Sequence, residues 1–151
     1  MEATEIIKSF GEKIGIGLEL DADGSCAFEA DELLISISNL HELDAIALVG
    51  DLGEPPPERL DDLYKIMMEA NHLFGGTGGA TLSLNPETGH FALCRVLQCK
   101  ALNGDSFFAE AERFVSTLEV WTKIVGNFRA APPVGNQTDA TSPDVAGFIT
   151  V

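Results

Sequence analysis

The residue types that most often do chemistry are sparse and scattered in this chain. Histidine is the usual acid/base at neutral pH, but His41, His72 and His90 fall in an expected loop, a helix end and a strand start, and their spacing forms no ligand set. Cys94 and Cys99 are five residues apart, which misses the Cys-x-x-Cys spacing of zinc and thioredoxin sites, and Cys26 stands alone. Gly75-Gly76-Thr77-Gly78-Gly79 is rich enough in glycine to cradle a phosphate, yet it follows a predicted helix, leads into a strand and lacks the Gly-Lys-Ser/Thr ending. A helix C-cap and a tight reversal account for it better. Asp21-Ala22-Asp23-Gly24-Ser25 begins like a calcium loop, but the remaining ligand spacing and a terminal bidentate Glu are missing. The other carboxylates, such as Glu29/Asp31/Glu32 and Asp61/Asp62, are too many to single out a catalytic pair and read as a solvated surface. No catalytic residue, metal ligand or cofactor site is expected.

Bulk properties narrow the field further. A chain of 151 residues with 45% hydrophobic content suits one compact domain. Nine Lys and Arg against twenty-four Asp and Glu leave a net charge of −15. That charge repels a phosphate backbone or an anionic membrane, so nucleic acid is not an expected partner. The longest apolar runs, residues 45–50 and 91–97, are too short to span a bilayer, and Glu2 and Glu5 spoil the basic start of a signal peptide. The expectation is a cytoplasmic protein without membrane insertion, whose three scattered cysteines are free thiols in a reducing compartment.

The elements that must carry any function follow from periodicity. Ile6, Ile7, Phe10 and Ile14 recur at helical spacing over residues 4–14, and Gly15 supplies the stop. Leu18-Glu19-Leu20 and Cys26-Ala27-Phe28 flank an Asp-Gly turn and predict a hairpin. Residues 29–32 then turn into a strand in which Leu33, Ile35 and Ile37 share one face, and a further strand is expected at residues 45–50, completing an antiparallel meander. Pro55-Pro56-Pro57 interrupts regular structure. A second helix begins after it, with Leu60, Leu63, Met67, Ala70 and Phe74 on its apolar stripe, and ends at Gly75-Gly76. Residues 81–84 and 90–97 predict a second hairpin around Asn85-Pro86-Glu87-Thr88-Gly89. Asn103 and its neighbours offer an N-cap to a long helix carrying Phe107, Ala111, Phe114, Leu118, Trp121, Val125 and Phe128. Residues 130–151, with Pro132, Pro133, Pro143, Asp139 and Asp144, read as a flexible, acidic, proline-containing tail. The fold class is α+β.

What remains after the chemistry is set aside is an apolar surplus on short elements: Ile6, Ile7, Phe10, Ile14, Leu18, Leu20, Phe28, Leu34, Ile46 and Leu48. Each alone suits a core, but as a set on one sheet with few covering helices they leave apolar surface for a protein partner. A small-molecule enzyme or carrier would need an arranged polar set, and the sequence offers only isolated polar residues.

The element order is joined by four segments: Phe10-Gly11-Glu12-Lys13-Ile14-Gly15-Ile16-Gly17, Cys26-Ala27-Phe28-Glu29 leading to Leu33-Leu34-Ile35-Ser36-Ile37, Ala70-Asn71-His72-Leu73-Phe74 before the glycines, and Phe91-Ala92-Leu93. With that order, they resemble the Tir chaperone (CesT-like) family of type III secretion effector chaperones. The similarity covers about residues 1–129; the triple proline and the tail do not map onto the family. The resemblance implies a bacterial cytoplasmic homodimer that holds the extended N-terminal segment of a secreted effector, keeps it soluble and secretion-competent without ATP, and has the secretion ATPase as a candidate further partner. It implies effector-binding residues at Ile6, Phe10, Ile14, Leu18, Leu20, Phe28 and Leu34, and a dimer interface at Leu63, Met67, Ala70, Phe74, Leu93 and Arg95. The alternative on the same fold is a regulatory interaction domain that sequesters a protein regulator of secretion.

Overall fold

A computed structural model describes residues 1–130. The elements run α1 (Ala3–Ile14), β1 (Ser25–Ala30), β2 (Leu33–Leu40), β3 (Ala45–Gly53), α2 (Leu60–Asn71), β4 (Thr81–Leu84), β5 (Phe91–Gln98) and α3 (Gly104–Ala130), with single 3-10 turns at His41–Leu43, His72–Phe74 and Cys99–Ala101. The strands form one antiparallel sheet in the order β1-β2-β3-β5-β4, which leaves β1 and β4 as edges. The α+β class, the later hairpin and the long last helix expected from periodicity are present, and so is the meander apart from its first expected strand. The expected tail lies outside the described residues, except for Ala130 at the end of α3.

Two compact units share these elements, Met1–Asp51 with Cys94–Ser116, and Leu52–Leu93 with Thr117–Val151, the latter described as far as Ala130. In the first unit the amphipathic α1 buries Ile6, Ile7 and Phe10, and Gly15 closes it at φ 76°. The chain then folds back onto the helix instead of pairing as a strand. A Cβ at Gly11 would stand 2.6 Å from the Ile16 carbonyl oxygen, so only glycine admits the returning segment, and Leu18 is buried there without joining the sheet. The Asp21 carboxylate accepts hydrogen bonds from the amides of Asp23 and Ser25, both at 2.9 Å, closing the loop that leads into β1. The expected 18–20 strand is therefore replaced by a return loop.

The tight hairpin sits one connection later. Ala30 pairs with Leu33, so Asp31 and Glu32 alone make the β1–β2 turn, both at positive φ (52° and 68°). A two-residue hairpin whose twist suits its strands requires that geometry at both positions. The register places Phe28 opposite Ile35 and Cys26 opposite Ile37, and then Ile37 opposite Leu48. Ile35, Ile37, Ile46 and Leu48 are fully buried, whereas Leu34, one step out of phase, is 59% exposed. At the start of α3, the Asn103 side chain accepts from the Ser106 amide while the Ser106 hydroxyl accepts from the Asn103 amide, each at 2.9 Å. This reciprocal cap satisfies donors that a helix N-terminus otherwise leaves open.

In the second unit α2 buries Leu63, Met67 and Ala70. The helix stops at Asn71, earlier than the glycines had predicted, because the Asn71 amide turns to the hairpin: it donates to the Leu82 carbonyl at 3.0 Å and accepts from the Leu82 amide at 2.9 Å. Leu73 and Phe74 then take positive φ (51° and 57°) and leave the apolar stripe. The glycine-rich segment is a reversal, as its composition suggests. The amides of Gly75, Gly76, Thr77, Gly78 and Ala80 all donate to nearby backbone carbonyls, so they are not turned toward an anion. The Trp121 indole donates to the Gly76 carbonyl at 2.9 Å, and Arg129 donates to the carbonyls of Leu52 and Glu54 and reaches the end of β3.

Candidate partner-binding surfaces

The first unit holds an apolar groove of about 280 Å3. Phe10 and Ile14 of α1 line it with Phe28 and Ala30 of β1 and with Phe108, Ala111 and Val115 of α3. Its floor is built around the Phe10 ring, which meets Phe28 and Phe107 edge-to-face at centroid distances of 5.1 Å and Phe108 at 6.2 Å. Such pairs contribute roughly 0.5–1.5 kcal/mol each beyond area burial, so the ring cluster helps hold the floor together. Two exposed carboxylates, Asp31 and Glu112, also line the groove. Strand β1, which supplies one wall, is a sheet edge with a row of backbone groups open to pairing.

A second surface lies on the outer side of α2. Tyr64 and Met68, one helical turn apart, line a shallow depression of about 600 Å3 with Asp61, Lys65, Glu69 and His72. Met68 is 73% exposed, and Leu73 and Phe74 just beyond the helix are 85% and 51% exposed. The broken helix end is what places those two side chains outward.

The candidate effector-binding residues divide by depth. Phe10, Ile14 and Phe28 line the groove; Ile6 and Leu18 are buried beneath the surface, Leu20 is partly exposed, and Leu34 points away on the opposite face of the sheet from Phe28 and Ile35. The candidate interface residues divide likewise. Leu63, Met67, Ala70 and Leu93 are buried within the second unit, Phe74 is exposed, and Arg95 in the first unit pairs with Glu110 at 3.2 Å. Sequence reasoning missed Phe108, Ala111 and Val115 as groove residues and Tyr64 and Met68 as an exposed pair. A signal existed in Phe108, Ala111 and Val115, whose three- and four-residue spacing puts a second apolar stripe beside the buried one on the last helix.

The side chains with chemical potential are not convergent. Cys26 and Cys99 have thiol pKa values raised first by burial, then by the nearby carboxylates of Asp21 and Asp44, which suppresses the nucleophilic thiolate. None of the three cysteines is in a disulfide. Among the described residues no three His, Cys, Asp or Glu side chains gather as a metal site would require, and no helix is long and apolar enough to cross a membrane.

The sequence pattern describing the Tir chaperone protein (CesT) family matches residues 5–122. The chain belongs to this family. A Chlamydia pneumoniae relative, designated CPj0713/CpB0740, is 30% identical over 129 residues, covering 81% of this chain and 95% of that protein. Among solved structures, a chain of the ExsC–ExsE complex superposes with a TM-score of 0.69 at 19% identity, covering 83% of this Tir chaperone family member and 97% of its own length. A chain of the heterodimeric ExoU–SpcU complex from the type III secretion system of Pseudomonas aeruginosa gives 0.64 at 16% identity, with coverages of 80% and 95%. The HopA1–SchA chaperone–effector complex gives 0.61 at 17% identity, with coverages of 83% and 91%. The type III secretion chaperone fold thus extends over both units of this Tir chaperone family protein.

Proposed function

We propose that this protein is a cytoplasmic, nucleotide-independent chaperone that holds the extended N-terminal segment of a type III secretion effector and works as a homodimer. The observation that carries the reading is the apolar groove beside the open edge of β1. An extended segment that pairs with β1 satisfies its own backbone and turns every second side chain toward one face, where the groove waits. That combination tolerates varied sequences while keeping the segment unfolded and shielded. The HopA1–SchA complex, a chaperone with its effector, supports the same role here. No step in holding a segment this way requires catalysis.

The second copy is assigned to the outer face of α2, where Tyr64, Met68, Leu73 and Phe74 present apolar surface. A net charge of −15 keeps a protein with two such surfaces in solution. The test is co-expression with the effectors encoded near this gene, followed by co-purification. Groove variants Ile14→Asp and Phe108→Asp, at partly exposed sites, should lose the effector while remaining folded and dimeric. Equal capture by wild type and both variants would overturn the assignment of the groove.

A further inference from the structure

The groove that is the basis of the proposed function has an apolar floor but a charged mouth. Asp31 and Glu112 line it, both are exposed, and neither has an ion-pair partner among the described residues. On α3 two other acids of the same unit are paired, Glu110 with Arg95 and Arg113, and Asp105 with Lys13. Asp31 is also held in a turn at φ 52°, which fixes its backbone at the end of β1, the groove's own wall. The two carboxylates come from different elements, the β1–β2 turn and α3, so they approach one occupant from two directions. An uncompensated pair of anions around an apolar floor is complementary to one chemistry in particular.

We infer that the groove selects extended segments in which an apolar residue, aromatic or branched, has Lys or Arg two positions away on either side. The spacing follows from strand geometry. When a partner strand pairs with β1, the residue entering the groove shares its face with the residues two before and two after it, while immediate neighbours point the other way. A basic residue at the two-position spacing therefore reaches the mouth as its apolar neighbour fills the floor. Basic residues at the one-position spacing do not. The inference rests on the chaperone reading and adds to it a rule for which segments are held.

The test uses the purified full chain and labelled synthetic peptides of about twelve residues, long enough to span a strand, in a Ser/Thr/Val background with one central Phe. Three peptides differ only in placing two Lys at the two-position spacing, two Lys at the one-position spacing, or two Glu at the two-position spacing. By fluorescence anisotropy in low salt, the first should bind on the order of tenfold more tightly than the second, although their net charges are equal, and the third should bind weakest. Raising the salt should shrink the preference. In D31N/E112Q the first two peptides should bind alike, whereas E42Q/E87Q, which removes two charges that do not line the groove, should keep the preference. Asn tolerates positive φ, so the turn survives the first change. Equal affinity for both Lys peptides in wild type, or a preference that persists in D31N/E112Q, overturns the inference. If co-purified effector is still captured in that case, the chaperone reading stands without the selection rule; if capture fails as well, both fall.

Discussion

Phe10 is 2% exposed and touches three other rings, yet it also lines the groove, so under the proposed function structure and recognition meet in one side chain. Phe10→Ala should lower unfolding stability by about 3–5 kcal/mol, as for a buried aromatic replaced by a void, and denaturant titration would show it. Phe108→Ala, at a partly exposed ring, should cost only about 1–2 kcal/mol and is the better probe of binding. Glu32 at φ 68° carries the opposite opportunity. Glu32→Gly should stabilise the hairpin by about 0.5–1 kcal/mol, read as a higher midpoint in the same titration, because glycine removes the left-handed penalty but adds unfolded-state entropy. Cys99 sets an alkaline limit. Its folded pKa lies above the ordinary thiol value, so its neutral form contributes stability that is complete below that value and lost as pH rises through the folded one. The melting temperature should fall on alkaline titration, and Cys99→Ala should flatten that fall; an unchanged slope would show that other groups govern it.

At the scale of elements, the sequence was most legible where one period dominated. The stripe Phe107, Ala111, Phe114, Leu118, Trp121, Val125 and Phe128 is buried along the whole of α3, because nothing local competes with it. The second helix was harder to read, since Phe74 continues its stripe in sequence but not in space. The Asn71 amide found two backbone partners at Leu82, and that long-range pairing ended the helix before the glycines could. No local pattern announces such a pairing. Asn71→Ala should therefore cost about 2–3 kcal/mol, more than an exposed helix position would, because Leu82 loses both bonds. The 18–20 segment failed for a related reason: its alternation fits a strand, but the close return over Gly11 takes its place, and periodicity does not register backbone proximity. The groove followed the same logic, with Phe10, Ile14 and Phe28 legible as apolar surplus and Phe108 hidden behind the stronger stripe of its own helix.

For the molecule as a whole, the proposed function gives the two apolar surfaces of a strongly acidic chain two partners, a second copy and an extended segment. Met68, at 73% exposure, separates them experimentally from the buried Met67. Met68→Asp should yield monomers by light scattering with little change in melting temperature, whereas Met67→Asp should unfold the protein by burying a charge. A Met68→Asp protein that stays dimeric would move the interface elsewhere. The central claim, that an effector segment adds to the β1 edge over the groove, is tested most directly by hydrogen exchange on the chaperone with and without its bound effector. Exchange should slow across Ser25–Ala30 and the groove-lining part of α3 when the segment is bound. Protection confined to α2, with β1 exchanging as fast as in the free protein, would contradict it.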